Sequence, residues 1–489
     1  MKTFLKGLAL LTAVTCLVWL VVIWRWQATQ HDIGVDDLVV YLLLLPLALF
    51  AFVLGMRWAV TAALAKQTTA QASTASMKPA VGASGDPAAA GATAAEASDK
   101  SLVWPVLGAW VAGPAGDDVG SLLEAAKAGK PAPKPDESLR DAEGLPVLAA
   151  RSKGIDGKHI ENAWREWRQV PGREAEEPAD PGVARALAAL EPLLQQAADT
   201  VGEWAQALPE DARGAARVRV LPSWPAGWAE PALAWARAWL EQQAQDHSHS
   251  IFGAKRWLVQ SLPAGSGPQA WQHADALLLT LQHEQCDDLV LLLSCHSDVS
   301  VQAVDALERE RKLFSASRHP KGHMPGEGAA AVLLSRMGPP EQAGLREVLA
   351  WLHRPACWRR DKSVDAPGKI SAETAGRAVA DAIQVAGVNA DELAGLCCDA
   401  DRHSARATEL FATTIEWLPH LDAVEDVRLL GVAHGHTRQT GALWAVAGAI
   451  EQALDAERPA VALSLADEHW RMALVARHRV VAAAAAQAP

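Results

Sequence analysis

The chain has 489 residues, half of them hydrophobic, and a net charge of −12. That length holds a membrane anchor together with one large or two medium domains. The acidic balance and the lack of a dense Lys/Arg face argue against a nucleic-acid-binding protein. Cys16, Cys286, Cys295, Cys357, Cys397 and Cys398 lack the regular spacing of a disulfide framework or a zinc finger, which fits a reducing compartment.

Two apolar runs open the chain, Gly7 to Trp24 and Leu38 to Gly55. Each is about long enough to cross a bilayer core, and Pro46 in the second is tolerated in a membrane helix. Lys2, Lys6, Arg57 and Lys66 lie outside the pair, whereas the loop between holds Arg25 but also Asp32, Asp36 and Asp37. The positive-inside bias therefore predicts a two-span hairpin over residues 1–63, with both termini in the cytoplasm. Residues 64–100 are rich in Ala, Thr and Ser and cannot bury a core. They read as a flexible tether reaching on the order of 35 Å.

From residue 102 onward, strands and helices alternate, which predicts an α/β body. Strands are expected at Leu102–Val111, Arg217–Leu221, Asp288–Leu293, Leu393–Cys397, Val427–Val432, Ala460–Ala466 and Trp470–Ala476. Helices are expected at Val183–Leu208, Glu230–Gln245, His273–Gln282, Ser371–Ala386, Ser404–Trp417 and Gln439–Leu454. Val301–Leu313 reads as a charged surface segment. The body divides into residues 101–337 and 338–489.

The most informative stretch is Met324-Pro-Gly-Glu-Gly-Ala-Ala-Ala-Val-Leu-Leu-Ser-Arg336, a tight turn feeding a continuous apolar run. Such a run fits a strand buried on both faces. It resembles the Gly-Glu-Gly-Ala strand entry of ketosynthases. Ser371–Ala386 with Gly387-Val388 resembles the helix before their first histidine motif. Gly431-Val-Ala-His-Gly-His-Thr437 resembles their Gly-His-Thr motif, with its following helix carrying Gly441, Ala447 and Gly448. The order of these motifs implies a thiolase-like layered α/β body.

The chemistry of that fold does not accompany the resemblance. A condensing enzyme needs a thiolate at a helix N-terminus and donors around a developing oxyanion. Before the helix at His273–Gln282 the chain offers only Ser266. Cys397-Cys-Asp-Ala-Asp401 stands where the first histidine motif falls, and only His436 matches a catalytic position. Gly326, Glu327, Gly328, Cys398, His434 and His436 are thus expected to line a vestigial pocket in a non-enzyme. Cys397, Cys398, Asp399 and Asp401 facing His434 and His436 would be acceptable zinc ligands. Adjacent cysteines on a strand point to opposite faces, so no metal and no cofactor are expected.

A two-span anchor, an Ala-rich tether and a degenerate thiolase-like body also resemble the type VI secretion lipase-adaptor family. That resemblance implies an inner-membrane adaptor loading a phospholipase toxin onto a VgrG-type spike. The alternatives are a membrane-tethered acyl-transfer enzyme and a membrane scaffold unrelated to secretion. Trp164 and Trp167, on a helix otherwise rich in Glu and Arg, are the expected partner contacts.

Overall fold

A computed structural model describes residues 102–130, 133–169, 180–262, 265–336 and 348–478. The expected membrane hairpin and tether lie outside the described residues. Among the described residues no helix is long and apolar enough to cross a membrane.

The first half contains β1 (Val103–Ala112), α1 (Val119–Ala128), β2 (Lys134–Arg140), β3 (Pro146–Ala149) and α2 (Lys158–Arg168). It continues through α3 (Pro181–Ala207), β4 (Val218–Ser223), α4 (Glu230–Phe252), β5 (Trp257–Val259), α5 (Gly267–His283), β6 (Leu289–Ser297), α6 (Val301–Arg309) and β7 (Glu327–Leu334). The second half contains β8 (Ala350–His353), β9 (Ala356–Arg359), α7 (Glu373–Ala386), β10 (Gly395–Cys398) and α8 (Ser404–Trp417). It ends with β11 (Val427–Leu429), a helical turn at Gly431–His434, α9 (Thr440–Ala456), β12 (Ala460–Ser464) and β13 (Trp470–Arg477).

The two halves repeat one topology. The strand order is β5-β4-β6-β7-β1 in the first and β11-β10-β12-β13-β8 in the second. In both, three strands run parallel, and the last two pairings are antiparallel. The first strands of the halves, β1 and β8, pair antiparallel and join them.

Burial follows the strand period of two. Val290 and Leu292 of β6 pack with α5 and α9 in one core, which also holds Ala462 of β12 and Leu474 of β13. Leu289, Leu291 and Leu293 point the other way, against α3 and α4. Val461, Leu463, Ala473 and Val475 pack against α7 and α8. Helices α5 and α9 therefore cover one face of both halves, and a separate helix pair covers the other face of each. This layering explains why β6 and β7 are buried at every position and carry the unbroken apolar runs Leu289–Leu293 and Ala329–Leu334.

Local chemistry sets the helix ends. Asp180 caps α3 by accepting from the Gly182 N–H at 2.8 Å, and Pro181 opens the helix. Helix α7 ends at Gly387 with φ +60°. The charged segment at 301–313 is a helix over its first nine residues. Ser300 caps it, and Val304 and Leu307 pack on the β2–β3 hairpin. The strand expected to Val432 stops at Leu429. Gly431 packs there against the Ala400–Asp401 backbone, where a Cβ would collide.

Candidate functional site

Three loops converge beyond the ends of β10 and β11, carrying His323, Asp401 with His403, and His436. His323 is pinned by backbone bonds, donating to the Lys312 carbonyl at 2.6 Å and accepting from the Phe314 N–H at 2.9 Å. His436 follows Gly435, whose φ of +71° turns the chain where a side chain would strike the Met324 and Pro325 carbonyls. The His436 N–H donates to the Met324 carbonyl at 2.8 Å, and its own carbonyl meets His296 Nε2 at 3.0 Å. Asp401 Oδ1 accepts from the His403 N–H at 2.9 Å.

The side chains form one cluster. Asp401 Oδ2 lies 3.4 Å from His436 Nδ1 and 3.5 Å from His323 Nδ1. The His323 ring stacks on His436 at 3.9 Å and on His403 at 5.3 Å. His403 Nε2 faces Asp365 at 3.5 Å, and Arg406 donates to the same carboxylate at 2.7 Å. A cavity of about 20 Å³ adjoins the cluster, with Asp401, His403, Met324 and Gly435 on its wall. That is room for about one water.

Burial and charge fix the protonation states. Burial opposes the charge on Asp401, but the polar contacts from the His323 and His436 rings outweigh it and hold the carboxyl well below its usual range. Burial, reinforced by neighbouring His323, pushes His436 down to about 3. His403 is also pushed down, by burial and then by Arg406. The site therefore presents a carboxylate beside a neutral His436 at pH 7.

Several expected site residues lie elsewhere. Glu327 is not a pocket residue. Its buried carboxylate accepts from Arg185 Nη2 at 2.6 Å, Arg185 Nε at 2.8 Å, Ser297 Oγ at 2.9 Å and the Ser152 N–H at 2.7 Å. Gly326 does approach the His434–His436 turn, where a Cβ would meet the His434 carbonyl. Gly328 backs onto Trp444 instead. Cys398 faces the α7–α8 core, because neighbouring strand residues point to opposite sides. The Cys397 thiol contacts Gln452 Oε1 at 3.3 Å. Asp399 braces the end of β12, accepting from Ser464 Oγ at 2.6 Å and the Leu465 N–H at 2.6 Å. Of the sequence-derived zinc candidates, only Asp401 and His436 come together. His323 and His403 carry no spacing signal, and the loop topology alone brings them in.

His434 is buried against Trp444, with ring centroids 4.5 Å apart, and neither ring nitrogen has a hydrogen-bond partner. Burial pushes its pKa from 6.5 down to about 3. The folded state thus favours the neutral ring, and this stabilisation is present above pH 6.5 and lost as the pH falls toward 3. His434→Leu should flatten the loss of stability between pH ~6.5 and ~4 by about one proton, about 1.4 kcal/mol per pH unit. Denaturant titrations across that range measure it, and an unchanged slope would show that His434 is not held neutral.

The partner-binding expectation also changes. Trp164 is 3% exposed, stacked on Trp167 at 5.3 Å and edge-on to Trp235 at 4.8 Å. Helix α2 is polar along its length, yet it turns Ile160 and Trp164 inward onto α3 and α4. Trp164 is therefore a core residue and not a contact surface. Trp167 is half-buried at the edge of the same cluster.

No family model matches the chain, and no curated protein matches its sequence. Its structure is similar to the ishigamide ketosynthase/chain length factor, at 17% identity, covering 78% of this chain and 100% of that one, with a TM-score of 0.50. It is similar to the ketosynthase from module 6 of the bacillaene synthase of Bacillus subtilis 168, at 13% identity over 78% of this chain and 72% of that one, TM-score 0.51. The module 1 ketosynthase of the Bacillus amyloliquefaciens FZB42 bacillaene synthase gives 16%, 80%, 75% and 0.50. The body is ketosynthase-like in fold. At these identities the likeness extends to the fold alone.

Proposed function

We propose that this chain is a non-catalytic adaptor whose ketosynthase-like body has been turned from turnover to binding. The observation that carries this reading is the state of the groups that could act as nucleophile. Ser266 sits at the start of α5, and its hydroxyl turns back to Gln269 Oε1 at 3.3 Å. Burial holds the Cys357 and Cys397 thiols up at about 12 and also raises Cys286, Cys295 and Cys398. Among the described residues, no cysteine lies at a helix N-terminus, where a dipole would favour thiolate. The Cys357 sulfur lies 3.9 Å from the Pro268 carbonyl, an acceptor that favours the protonated thiol.

The layout of the chain supports the specific role. An anchor of two apolar runs and a tether ahead of a binding body resemble the lipase adaptors of type VI secretion. The cargo is then a phospholipase effector, and the destination a VgrG-type spike. The test is co-purification of the full chain, in detergent, with a co-expressed candidate phospholipase effector. Stable 1:1 or higher-order complex formation is expected, and effector eluting free of the chain would contradict the role.

One observation favours an alternative. The Asp401 carboxylate beside the His436 ring has the arrangement of a carboxylate-oriented general base, and substrate contact would have to raise the ring from about 3 for it to act as one. A rewired acyl-transfer enzyme would use it, and turnover of acyl-thioesters abolished by His436→Ala would identify that activity.

A further inference from the structure

We infer that His323, Asp401 and His436 form a binding site for a single zinc ion, with a fourth, open position facing the adjoining cavity. The inference is independent of the adaptor role. The three residues come from three separated loops, and their ligand atoms lie within 4.8 Å of one another. Two imidazole nitrogens and one carboxylate oxygen are a zinc donor set, and three protein ligands plus water leave the metal accessible.

The distances favour an ion over a hydrogen-bonded triad. Imidazole N–H groups donating to a carboxylate stand at about 2.7–2.9 Å. Here the two separations are 3.4 and 3.5 Å. Donors around a tetrahedral zinc, each bonded at about 2.0–2.2 Å, are themselves separated by about 3.3–3.6 Å. The two nitrogen–oxygen separations match that tetrahedron edge, and the two imidazole ligand atoms lie within 4.8 Å of each other.

The surroundings suit a metal as well. Metal-ligating carboxylates are held by an outer layer of hydrogen bonds. Asp401 Oδ1 is held by the His403 N–H, which leaves Oδ2 facing both imidazoles. His436 is fixed by backbone bonds on both sides of its Cα, and His323 by a bridge to Leu313. The cavity of about 20 Å³ accommodates the water expected at the fourth position. One adjustment is required. The His323 and His436 rings are tilted by only 25°, so their in-plane lone pairs run nearly parallel. Holding one ion requires a ring to turn, and His323 lies between Gly322 and Met324, both on the cavity wall.

The test uses the full chain in detergent, stripped with a chelator, and titrated with Zn²⁺ against a chromophoric chelator of known affinity. Co²⁺ serves as a second, spectroscopic probe. The expected result is one tight Zn²⁺ per chain and a visible Co²⁺ band of tetrahedral intensity. Asp401→Asn and His436→Gln should each weaken Zn²⁺ binding at least 100-fold while leaving the metal-free melting temperature within a few degrees. If these variants unfold, the wild-type Co²⁺ spectrum still decides, because octahedral intensity or no band rejects the site. Failure of the wild-type chain to bind micromolar Zn²⁺ overturns the inference. So does retention of full affinity in the Asp401→Asn, His436→Gln double variant, since the ion would then sit on other histidines.

Discussion

Arg185→Met lowers the stability of the body by about 3–5 kcal/mol, because it strands a buried carboxylate without its counter-charge. The Glu327 side chain is 1% exposed and that of Arg185 15% exposed. The guanidinium grips both carboxylate oxygens and also donates to the carbonyls of Ile155 and Ser152 at 2.8 and 3.0 Å. One side chain of α3 thus ties the first residue of β7 to the segment leading into α2. Denaturant unfolding of the full chain, followed by Trp fluorescence, measures the loss. Adding Glu327→Gln to the variant should restore much of it, because a neutral amide removes the unpaired charge. A loss under ~1 kcal/mol would show that the pair is not structural and would return Glu327 to the candidate site residues.

Trp164→Ala should cost about 3–5 kcal/mol, the usual range for truncating a large aromatic in a core. The ring packs on Trp167 and Trp235, in the core cluster that also holds Leu187 and Leu190 of α3. Partner binding by this variant should fail only to the extent that the fold fails. A thermal melt read beside a pull-down separates the two effects. An unchanged melting temperature with lost binding would contradict the core placement. Trp167→Ala should cost less, because its ring is half-buried.

Much of the layered body is legible in the sequence, for a physical reason. Strands covered on both faces are apolar without alternation, as in Leu289–Leu293 and Ala329–Leu334, and such runs are hard to mistake. Helices with a glycine stop, such as α7 ending at Gly387, also declare themselves. The β2–β3 hairpin does not, because β2 is polar at most positions and shows no period of two. Strand β8 has four residues, too few for a pattern. Helix α2 misleads in the opposite way, since its polar composition hides a buried Trp164.

The candidate site was half legible. His436 stands out from its place in Gly-His-Thr, and Asp401 from its place after β10. His323 does not, because its partners are 78 and 113 residues away, and nothing local marks it. The Gly-Glu-Gly turn points at the right loop but to the wrong side chain, since Glu327 faces α3 while His323, four residues earlier, faces the cluster.

The central claim, a ketosynthase-like body without acyl-transfer chemistry, is tested most directly by intact-mass spectrometry. The full chain is incubated with a series of acyl-thioesters, denatured and weighed. The account predicts an unchanged mass, because burial keeps the described thiols protonated and Ser266 is turned back to Gln269. A stoichiometric acyl adduct on Ser266 or on any cysteine would contradict it.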